Sequence, residues 1–308
     1  MKMNSYAYVL SNAFLLVVLS TQAYIARADY PDRPIKLIVP FPPGAGTDAT
    51  ARLLTNALST QIKQTIVVEN KAGGGGSIGA QSVVDSPADG YTLFFATTGT
   101  LAFNPFLYSK LKYNPLTDFT PIAGVASFPN VLVVSPTLPV KTVNDFIALA
   151  KSKPNQLTYG SSGTGSSSHL AVILLESLTD TSYTHVPYKG SSPAMTDLVS
   201  GRLDFMIDNI TLHSALAKQG KEVALGLSGS NGSNMLPGVA PINKSGVPSY
   251  EMVLWYAVLA PSGLSNDLVT YLSENIKTVV NNPKFKVALE AIGNDSMYMN
   301  PKEIDGFI

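Results

Sequence analysis

The chain has 308 residues, with 21 Lys and Arg against 21 Asp and Glu, 45% apolar residues and no cysteine. This length allows one large domain or two of ordinary size, with enough core to fold without disulfides or a structural metal. The balanced charge argues against a nucleic-acid-binding protein. The missing cysteine excludes thiolate catalysis and iron–sulfur clusters, and the three histidines are too far apart for an HExxH zinc motif. We therefore expect neither a metal nor a cofactor.

The N-terminus has the features of a secretory signal peptide. Lys2 precedes a short apolar stretch, Ala13–Leu19, and residues 26–28 (Ala-Arg-Ala) fit a cleavage site. A membrane anchor is the alternative, although the apolar stretch is too short for a stable span. Removal of residues 1–28, by cleavage after Ala28, would leave 19 basic and 21 acidic residues. We expect a periplasmic protein, because a chain without thiols suits an oxidising compartment.

Short apolar segments alternate with segments of helical period along the rest of the chain. Strands are predicted at Ile35–Phe41, Ile66–Glu69, Thr92–Ala96, Val131–Val134, Leu157–Gly160, Phe205–Asp208, Val223–Leu227 and Val253–Leu259. Helices are predicted at Asp48–Gln61, Ile78–Val84, Val143–Lys151, His169–Leu178, Pro193–Leu198, Leu268–Asn281 and Pro283–Ala291. This alternation is typical of α/β proteins with mostly parallel sheets covered on both faces. The length favours two such lobes.

The first glycine-rich loop, Phe41–Asp48, follows a predicted strand and leads into a predicted helix. Thr47 and Asp48 are candidate N-cap residues, and Gly44 and Gly46 allow the backbone to approach a ligand closely. Backbone N–H groups and the helix dipole favour an anion at such a helix start. The simpler alternative is an ordinary strand-to-helix turn with a cap.

The same loop also fits a second interpretation. Gly44-x-Gly46-x-x-Ala49 has the spacing of a Rossmann dinucleotide-binding motif, and Glu69 lies about 20 residues further on, where an acid that binds ribose is expected. An exported oxidoreductase is therefore an alternative function. Two prolines just before the first glycine argue against it, because they remove backbone donors and stiffen the turn.

The second glycine-rich loop, Gly160–Ser168, also lies between a predicted strand and a predicted helix. It offers several hydroxyl and amide groups and carries no charge. A serine hydrolase that uses His169 as its base is an alternative, but no serine here lies in a G-x-S-x-G motif. Ser166, three residues before His169, is more simply explained as a helix cap and ligand contact.

Neither glycine-rich loop contains Lys or Arg. A polyphosphate requires charge neutralisation, whereas a carboxylate can be held by amides, hydroxyls and water. The loops also show no paired acids and no activated nucleophile. The residues therefore favour reversible capture of a small carboxylate over catalysis, and we expect a protein that is not an enzyme.

Many motifs along the chain resemble the tripartite tricarboxylate transporter receptors, also called Bug proteins. They lie between about Tyr30 and Pro301, in the order found in that family: Pro34–Asp48, Val67–Gly73, Asp89–Leu93, Asn104-Pro105 with Leu107-Tyr108, Asp118–Ile122, Tyr159–Gly163, His185–Gly190, Asp197-Leu198 with Gly201 and Asp204, and Trp255-Tyr256 with Ala260-Pro261. Because the motifs are numerous and ordered, they are more specific than either glycine-rich loop by itself.

The resemblance implies a two-lobed periplasmic-binding-protein fold of the type II, Venus-flytrap kind. The first lobe would comprise residues 29–129 and 253–308, and the second lobe residues 130–252. It also implies a monomer that captures a di- or tricarboxylate, an amino acid or an aromatic carboxylate. The receptor would deliver this ligand to membrane permease subunits, or serve a sensor kinase instead.

The resemblance further implies which residues form the ligand site. From the two loops these are Phe41, Pro43, Gly44, Ala45, Gly46, Thr47, Asp48, Ser161, Ser162, Gly163, Thr164, Gly165, Ser166 and His169. Thr98 and Gly99 are expected as neighbours after the third strand. Asp204 and Asp208, at the ends of a predicted strand, are expected to reach the distal part of the ligand. For Asp204 the alternative is a cap at the N-terminal end of that strand.

Two departures from the family pattern affect these expectations. Ala45 stands where many relatives have a third glycine, which restricts the backbone and adds a methyl group near the ligand. Relatives usually continue for another helix, and residues 301–308 resemble only the beginning of that helix. We therefore expect either a truncated product or a less stable receptor with an exposed apolar face. Trp255 could either report lobe closure by its fluorescence or lie in the core.

Overall fold

Ten strands join into one mixed sheet in the computed structural model, which describes residues 30–308. They are β1 (Ile35–Val39), β2 (Ile66–Asn70), β3 (Thr92–Thr97), β4 (Phe119–Val134), β5 (Thr158–Ser161), β6 (Thr184–Pro187), β7 (Phe205–Asn209), β8 (Val223–Leu227), β9 (Val253–Pro261) and β10 (Asp295–Met299). The order across the sheet is β2-β1-β3-β9-β4-β7-β5-β6, and β8 and β10 also pair with β4.

The long strand β4 connects two parts of this sheet. Its first part pairs with β9 as far as Pro129 opposite Val253, and its second part pairs with β7 from Asn130 opposite Asn209. We call the part built on β1, β2, β3, β9, β10 and the start of β4 the first lobe, and the remainder the second lobe. The outer strands of each lobe are parallel, and the pairs that involve β4 and β9 are antiparallel. The predicted α/β class is confirmed.

Ten α-helices accompany the strands within residues 30–308. They are α1 (Gly46–Ile62), α2 (Ser77–Val84), α3 (Asn104–Leu107), α4 (Val143–Ser152), α5 (Ser167–Thr179), α6 (Ser191–Val199), α7 (Ile210–Lys218), α8 (Asn266–Val280), α9 (Pro283–Ala291) and α10 (Pro301–Phe307). Residues 34–308 make one compact unit. No helix in the described part of the chain is long and apolar enough to span a bilayer. The predicted signal peptide, residues 1–28, lies outside the described residues.

Buried apolar side chains cover both faces of the sheet in the second lobe. Leu132 and Val134 of β4 point to one face, which packs against α4 and α5, and Val131 and Val133 point to the other, which packs against α6 and α7. This follows from the two-residue repeat of a strand. The helices α1 and α5 begin after the carboxyl ends of the parallel strands β1 and β5, which is the end of the sheet where ligands bind in such folds.

Several elements differ from the sequence prediction. The strand β4 begins at Phe119, whereas the pattern predicted only Val131–Val134. The prediction was too short because Pro121, Gly124 and Pro129, which usually break strands, lie within β4. Register shifts beside Pro121 and Gly124 accommodate these residues. The elements β6, β10 and α7 were not predicted, and each is short or follows its predecessor without a turn signal.

Trp255 lies in the core of the first lobe. Its side chain is 5% exposed, and its ring packs edge-on against Phe307 of α10, with ring centroids 5.4 Å apart. Ile304 of α10 is fully buried in the same cluster. The helix α10 therefore covers part of the first-lobe core, and the interpretation of Trp255 as a core residue agrees with its packing.

Candidate ligand site between two glycine-rich loops

The first glycine-rich loop ends where α1 begins, at Gly46. Ala45 is the N-cap residue, with an extended backbone, and no side chain in the described residues caps the helix start. The prediction that Thr47 or Asp48 caps this helix is therefore wrong, because both residues already lie inside it. The first amides of α1 are left without a side-chain acceptor, which is the arrangement that favours a bound anion.

Asp48 holds the first loop in shape. Its carboxylate accepts hydrogen bonds from the Gly44 amide at 3.0 Å, Arg52 Nε at 2.9 Å and Asn70 Nδ2 at 2.9 Å. Asn70 also donates to the carbonyl of Phe41 at 2.9 Å. Burial raises the pKa of Asp48, but these hydrogen bonds outweigh that effect, so the pKa lies below its usual value. The acceptor positions of Asp48 are thus used within the protein.

The remaining predicted residues of this loop lie at its outer edge or at the helix start. Pro43 and Gly44 are exposed, and Gly44 has a positive φ of 82°, which glycine tolerates without strain. Ala45 is partly exposed, so its methyl group borders the space in front of α1. Thr47 is buried, and its Oγ1 lies 3.3 Å from the Tyr256 hydroxyl of β9.

A chain of serine hydroxyls organises the second glycine-rich loop. Ser166 caps α5, as predicted, because its Oγ accepts the His169 amide at 3.4 Å. Ser168 Oγ lies 3.0 Å from Ser166 Oγ and 3.1 Å from Ser162 Oγ, and it accepts the Ser162 amide at 2.9 Å. This loop is therefore held by neutral hydrogen bonds, without any ion pair among these residues.

Two histidines and a tyrosine stack behind the second loop. The His169 and His185 rings have centroids 4.2 Å apart, and Tyr159 stacks on His185 at 4.8 Å. His185 Nε2 lies 2.7 Å from Ser161 Oγ, and His169 Nδ1 accepts the Gly165 amide at 3.1 Å. Burial, together with the neighbouring His169, lowers the pKa of His185 to about 4, and burial also lowers the pKa of His169. Both rings are therefore neutral near pH 7.

This geometry does not resemble that of a serine hydrolase. Ser166 Oγ donates to the Gly163 carbonyl at 2.6 Å instead of to an imidazole. Ser161 does pair with His185, but among the described residues no carboxylate hydrogen-bonds to that ring. A base of this kind needs such a partner to orient it and to stabilise its charged form.

The two lobes touch beside the glycine-rich loops. The Tyr108 hydroxyl, just after α3 in the first lobe, donates to the Thr164 carbonyl of the second loop at 3.2 Å. A β-carbon added to Gly165 would lie 2.9 Å from Leu107 Cδ1. The second glycine-rich loop, which precedes α5, therefore lies against the first lobe.

A second inter-lobe contact lies at the start of α1. A β-carbon added to Gly46 would lie 2.8 Å from Nδ2 of Asn209, at the end of β7. The Asn209 side chain also lies close enough to the Tyr256 hydroxyl to affect its pKa, and this hydroxyl in turn contacts Thr47. Together these residues link α1, β7 and β9.

Thr98 and Gly99 lie at the end of β3, beside this region. Thr98 Oγ1 accepts the Trp255 amide at 2.8 Å and donates to the Trp255 carbonyl at 3.3 Å, so it ties β3 to β9. Gly99 begins a single π-helical turn, Gly99–Phe103. Thr98 is 6% exposed, and its hydroxyl is already used within the protein.

Asp204 lies apart from the other predicted site residues. It precedes β7 and accepts hydrogen bonds from the amide and hydroxyl of Thr158, at 2.7 and 2.9 Å. Thr158 begins β5, whereas the second glycine-rich loop follows the opposite end of that strand. The placement does not support contact between Asp204 and a ligand, since Asp204 ties two strand starts together.

Asp208 belongs to a buried acid–histidine–acid cluster in the second lobe. His213 Nδ1 lies 3.0 Å from Glu222 Oε1, and His213 Nε2 lies 3.9 Å from Asp208 Oδ2. Burial lowers the pKa of His213, but the hydrogen bonds and charges of both acids outweigh it and raise the pKa to about 9. Asp208 is 4% exposed. The three side chains are not arranged as metal ligands, and no other group of three or more His, Asp or Glu side chains within residues 30–308 could hold a metal ion.

The family model described as "tripartite tricarboxylate transporter family receptor" matches residues 50–308. The chain belongs to this receptor family. A UPF0065 protein encoded in the tcbD–tcbE intergenic region of Pseudomonas sp. strain P51 is 38% identical over 91% of this chain and 83% of its own length. The predicted family and the two-lobed periplasmic-binding-protein fold are confirmed.

Solved structures of receptors in the same family superimpose on this chain. Rpa4515 of R. palustris, determined with adipate, has a TM-score of 0.87 and 36% identity, and covers 91% of this chain and 93% of its own. MatC (Rpa3494) of Rhodopseudomonas palustris, with bound malate, has a TM-score of 0.83 and 29% identity, and covers 90% and 96%. The family consists of periplasmic solute-binding receptors, which are not enzymes.

Membership of this receptor family does not favour the Rossmann alternative. Glu69, which that interpretation assigned to ribose, lies 3.2 Å from Lys71 Nζ and 4.0 Å from Lys36 Nζ. Its charge is thus compensated by two surface lysines. The glycine spacing that suggested a dinucleotide serves the start of α1 in a receptor fold.

Sequence reasoning missed four residues that shape the cleft: Tyr108, His185, Asn209 and Tyr256. Tyr108, His185 and Tyr256 lie within motifs that carried the family resemblance. Their roles could not be predicted from these motifs, because their contacts are with distant parts of the chain. Asn209 had no signal of its own. Its position as the N-cap of α7 depends on a helix that the pattern did not predict.

Proposed function

We propose that this protein is a periplasmic receptor that captures a small organic carboxylate in the inter-lobe cleft and delivers it to a tripartite tricarboxylate-type permease. The chain would be exported by an N-terminal signal peptide that is cleaved after Ala28. The lobes would comprise residues 29–129 with 253–308, and residues 130–252. The change from β9 pairing to β7 pairing between Pro129 and Asn130 supports this division.

The observation that carries the proposal is the pairing of two uncharged helix starts across the cleft. Glycine amides at α1 and glycine amides with serine hydroxyls at α5 supply donors, and neither loop contains a Lys or Arg. Donors of this kind suit a carboxylate, whose charge is small enough to be held by amides, hydroxyls and water. The adipate and malate in the two superimposed receptors support the same ligand class.

The arrangement also explains how binding could close the lobes. A ligand that accepts hydrogen bonds from both loops binds the closed form more tightly than the open form, and so shifts the population toward closure. The contacts of Tyr108 with Thr164 and of Gly46 with Asn209 would form at the same time. On this basis the proposed ligand residues are the amides of the two loops, and Asp204 is no longer among them.

Isothermal titration calorimetry on protein purified from a periplasmic extract tests the proposal. The panel contains succinate, malate, adipate, citrate, glutamate, benzoate and NAD. We expect one-site binding of at least one carboxylate and no heat from NAD. A matched amide, such as succinamide against succinate, should bind far more weakly because it lacks the anionic oxygens. Binding of NAD without binding of any carboxylate would contradict the proposal.

Delivery to a permease needs a separate measurement. Uptake of the radiolabelled carboxylate is compared in cells with and without the receptor gene, while the permease genes are kept. We expect uptake to fall when the receptor is absent and to return when it is supplied on a plasmid. Unchanged uptake together with altered gene expression would instead indicate a sensor partner.

A further inference from the structure

Asn130 lies at the point where β4 passes from the first lobe to the second. Its side chain is fully buried, and neither its Nδ2 nor its Oδ1 has a hydrogen-bond partner. Within residues 30–308 it is the one side chain with both polar atoms buried and unpaired. Buried side-chain amides nearly always have hydrogen-bond partners, so we expect Nδ2 and Oδ1 of Asn130 to bind a group that does not belong to the protein.

The side chain of Asn130 lies on the same face of the sheet as a residue that joins the two lobes. Asn130 is directly opposite Asn209 in the antiparallel pair of β4 and β7, so the two side chains project from the same face of the sheet. The Asn209 amide reaches the start of α1 at Gly46. Asn130 therefore lies on the sheet face that carries Asn209, next to the contact between α1 and β7.

The surroundings of Asn130 keep it in this position. Its backbone amide donates to Ser228 Oγ at 2.7 Å, and Ser228 Oγ donates to the Met252 carbonyl at 2.7 Å, which ties both crossing segments together. Two residues earlier, Phe128 stacks on Tyr256 with centroids 4.6 Å apart. The amide is thus held on a rigid strand instead of a loop, as a specificity-determining side chain requires.

We propose that Asn130 recognises a hydroxyl group on the bound carboxylate, so that the receptor prefers hydroxycarboxylic acids to the matching acids without the hydroxyl. This inference rests on the proposed function, because it assumes that a carboxylate occupies the cleft. The chemistry of the amide selects the group: Nδ2 donates and Oδ1 accepts, and a hydroxyl can satisfy both. A second carboxylate accepts hydrogen bonds without donating any, and would leave Oδ1 unpaired.

The test measures matched pairs of acids by calorimetry on the full exported protein. The probes are malate against succinate, 3-hydroxybutyrate and 4-hydroxybutyrate against butyrate, and citrate against tricarballylate. In at least one pair we expect the hydroxy acid to bind about 10- to 100-fold more tightly, since a buried amide is left unpaired by the other acid. Equal affinity within every pair would overturn the inference, and would indicate that Asn130 holds a resident water.

Variants separate recognition from a structural role. Asn130→Leu keeps the volume of the side chain and removes both polar atoms. In the pair that the wild type distinguishes, the hydroxy acid should then bind with the same affinity as the acid without the hydroxyl. The Kd of the acid without the hydroxyl should not change. Asn243→Leu, at another asparagine with a buried unpaired oxygen, is the matched control and should leave the ratio unchanged. If Asn130→Leu changes the melting temperature but keeps the wild-type ratio, the inference is wrong. If the wild type binds none of the acids, the proposed function fails first.

Discussion

The two glycine-rich loops perform similar tasks with different chemistry. The first loop is held by a charged residue, because Asp48 joins Gly44, Arg52 and Asn70. The second loop is held by neutral serine hydroxyls and by a stack of uncharged imidazoles. In both loops the donors that we propose for the ligand are uncharged. The charge of Asp48 therefore serves the shape of the first loop, and under the proposed function recognition of the carboxylate falls to amides and hydroxyls.

The largest expected effect concerns the charge in the first loop. Asp48→Ala removes three hydrogen bonds around a buried carboxylate and should lower the free energy of unfolding by about 3 kcal/mol. Urea denaturation measures this change. Asp305→Ala, at an exposed acid in α10, is the control and should stay within about 0.5 kcal/mol of the wild type. Similar losses for the two variants would show that Asp48 does not organise the first loop.

The second-largest expected effect is on the pH dependence of stability, which should differ between His185 behind the second loop and Asp48 in the first loop. The folded pKa of His185 lies at about 4, below its usual 6.5, so the unfolded chain takes up a proton first as the pH falls. The stability contribution of His185 is present above pH 6.5 and is lost as the pH falls from 6.5 toward 4. Because the ring is only partly buried, we expect a loss of about 1–2 kcal/mol. The stability contribution of Asp48, whose pKa is lowered from 3.8, should be lost mainly below this window.

The variant His185→Phe tests the assignment of this pH window. It keeps an aromatic ring in the stack and removes the titrating group and its hydrogen bond to Ser161. Urea denaturation at several pH values should give a flatter stability profile between pH 6.5 and 4 than in the wild type. An unchanged profile would assign the pH dependence to other groups.

The smallest expected effect concerns the contact between the lobes. In Gly46→Ala the new methyl group would lie 2.8 Å from Asn209, so the closed arrangement is disfavoured while φ at this position remains ordinary. We expect ligand affinity to fall about tenfold, equivalent to about 1.4 kcal/mol, with unfolding free energy nearly unchanged. Adding Asn209→Ser should restore affinity, because serine is smaller and still caps α7.

Gly306→Ala provides a control for the Gly46 variant. Its new methyl group meets no neighbouring atom within 4 Å, and it lies in α10, away from the cleft. Ligand affinity in this variant should equal that of the wild type. If Gly46→Ala also binds normally, the contact with Asn209 is irrelevant to closure.

The sequence was sufficient to predict the local parts of the site. Both loops lie between a strand and a helix as predicted, and Ser166 caps α5, because caps and turns depend on neighbouring residues. Contacts between distant residues could not be predicted in this way. The stack of His169 on His185 requires that β5 and β6 pair, and the placement of Asp204 depends on the direction of β7 beside β5.

The long strand β4 shows why part of the fold could not be predicted from pattern alone. Pro129 and the residues before it break the local strand signal, yet pairing with β9 on one side and β10 on the other stabilises the strand. Tertiary pairing therefore outweighs local propensity. The same strand places Asn130 opposite Asn209 where the chain passes between the lobes, a position that no local motif indicated.

The most direct test of the central claim observes the loop amides themselves. With the protein labelled by ¹⁵N-glycine, NMR spectra are recorded during titration with the carboxylate that binds best in the calorimetric panel. We predict that the amide signals of Gly44 and Gly46 in the first loop and of Gly163 and Gly165 in the second shift together, at one common saturation point. Shifts confined to one loop, or to glycines remote from the cleft, would contradict capture of the ligand between the two helix starts.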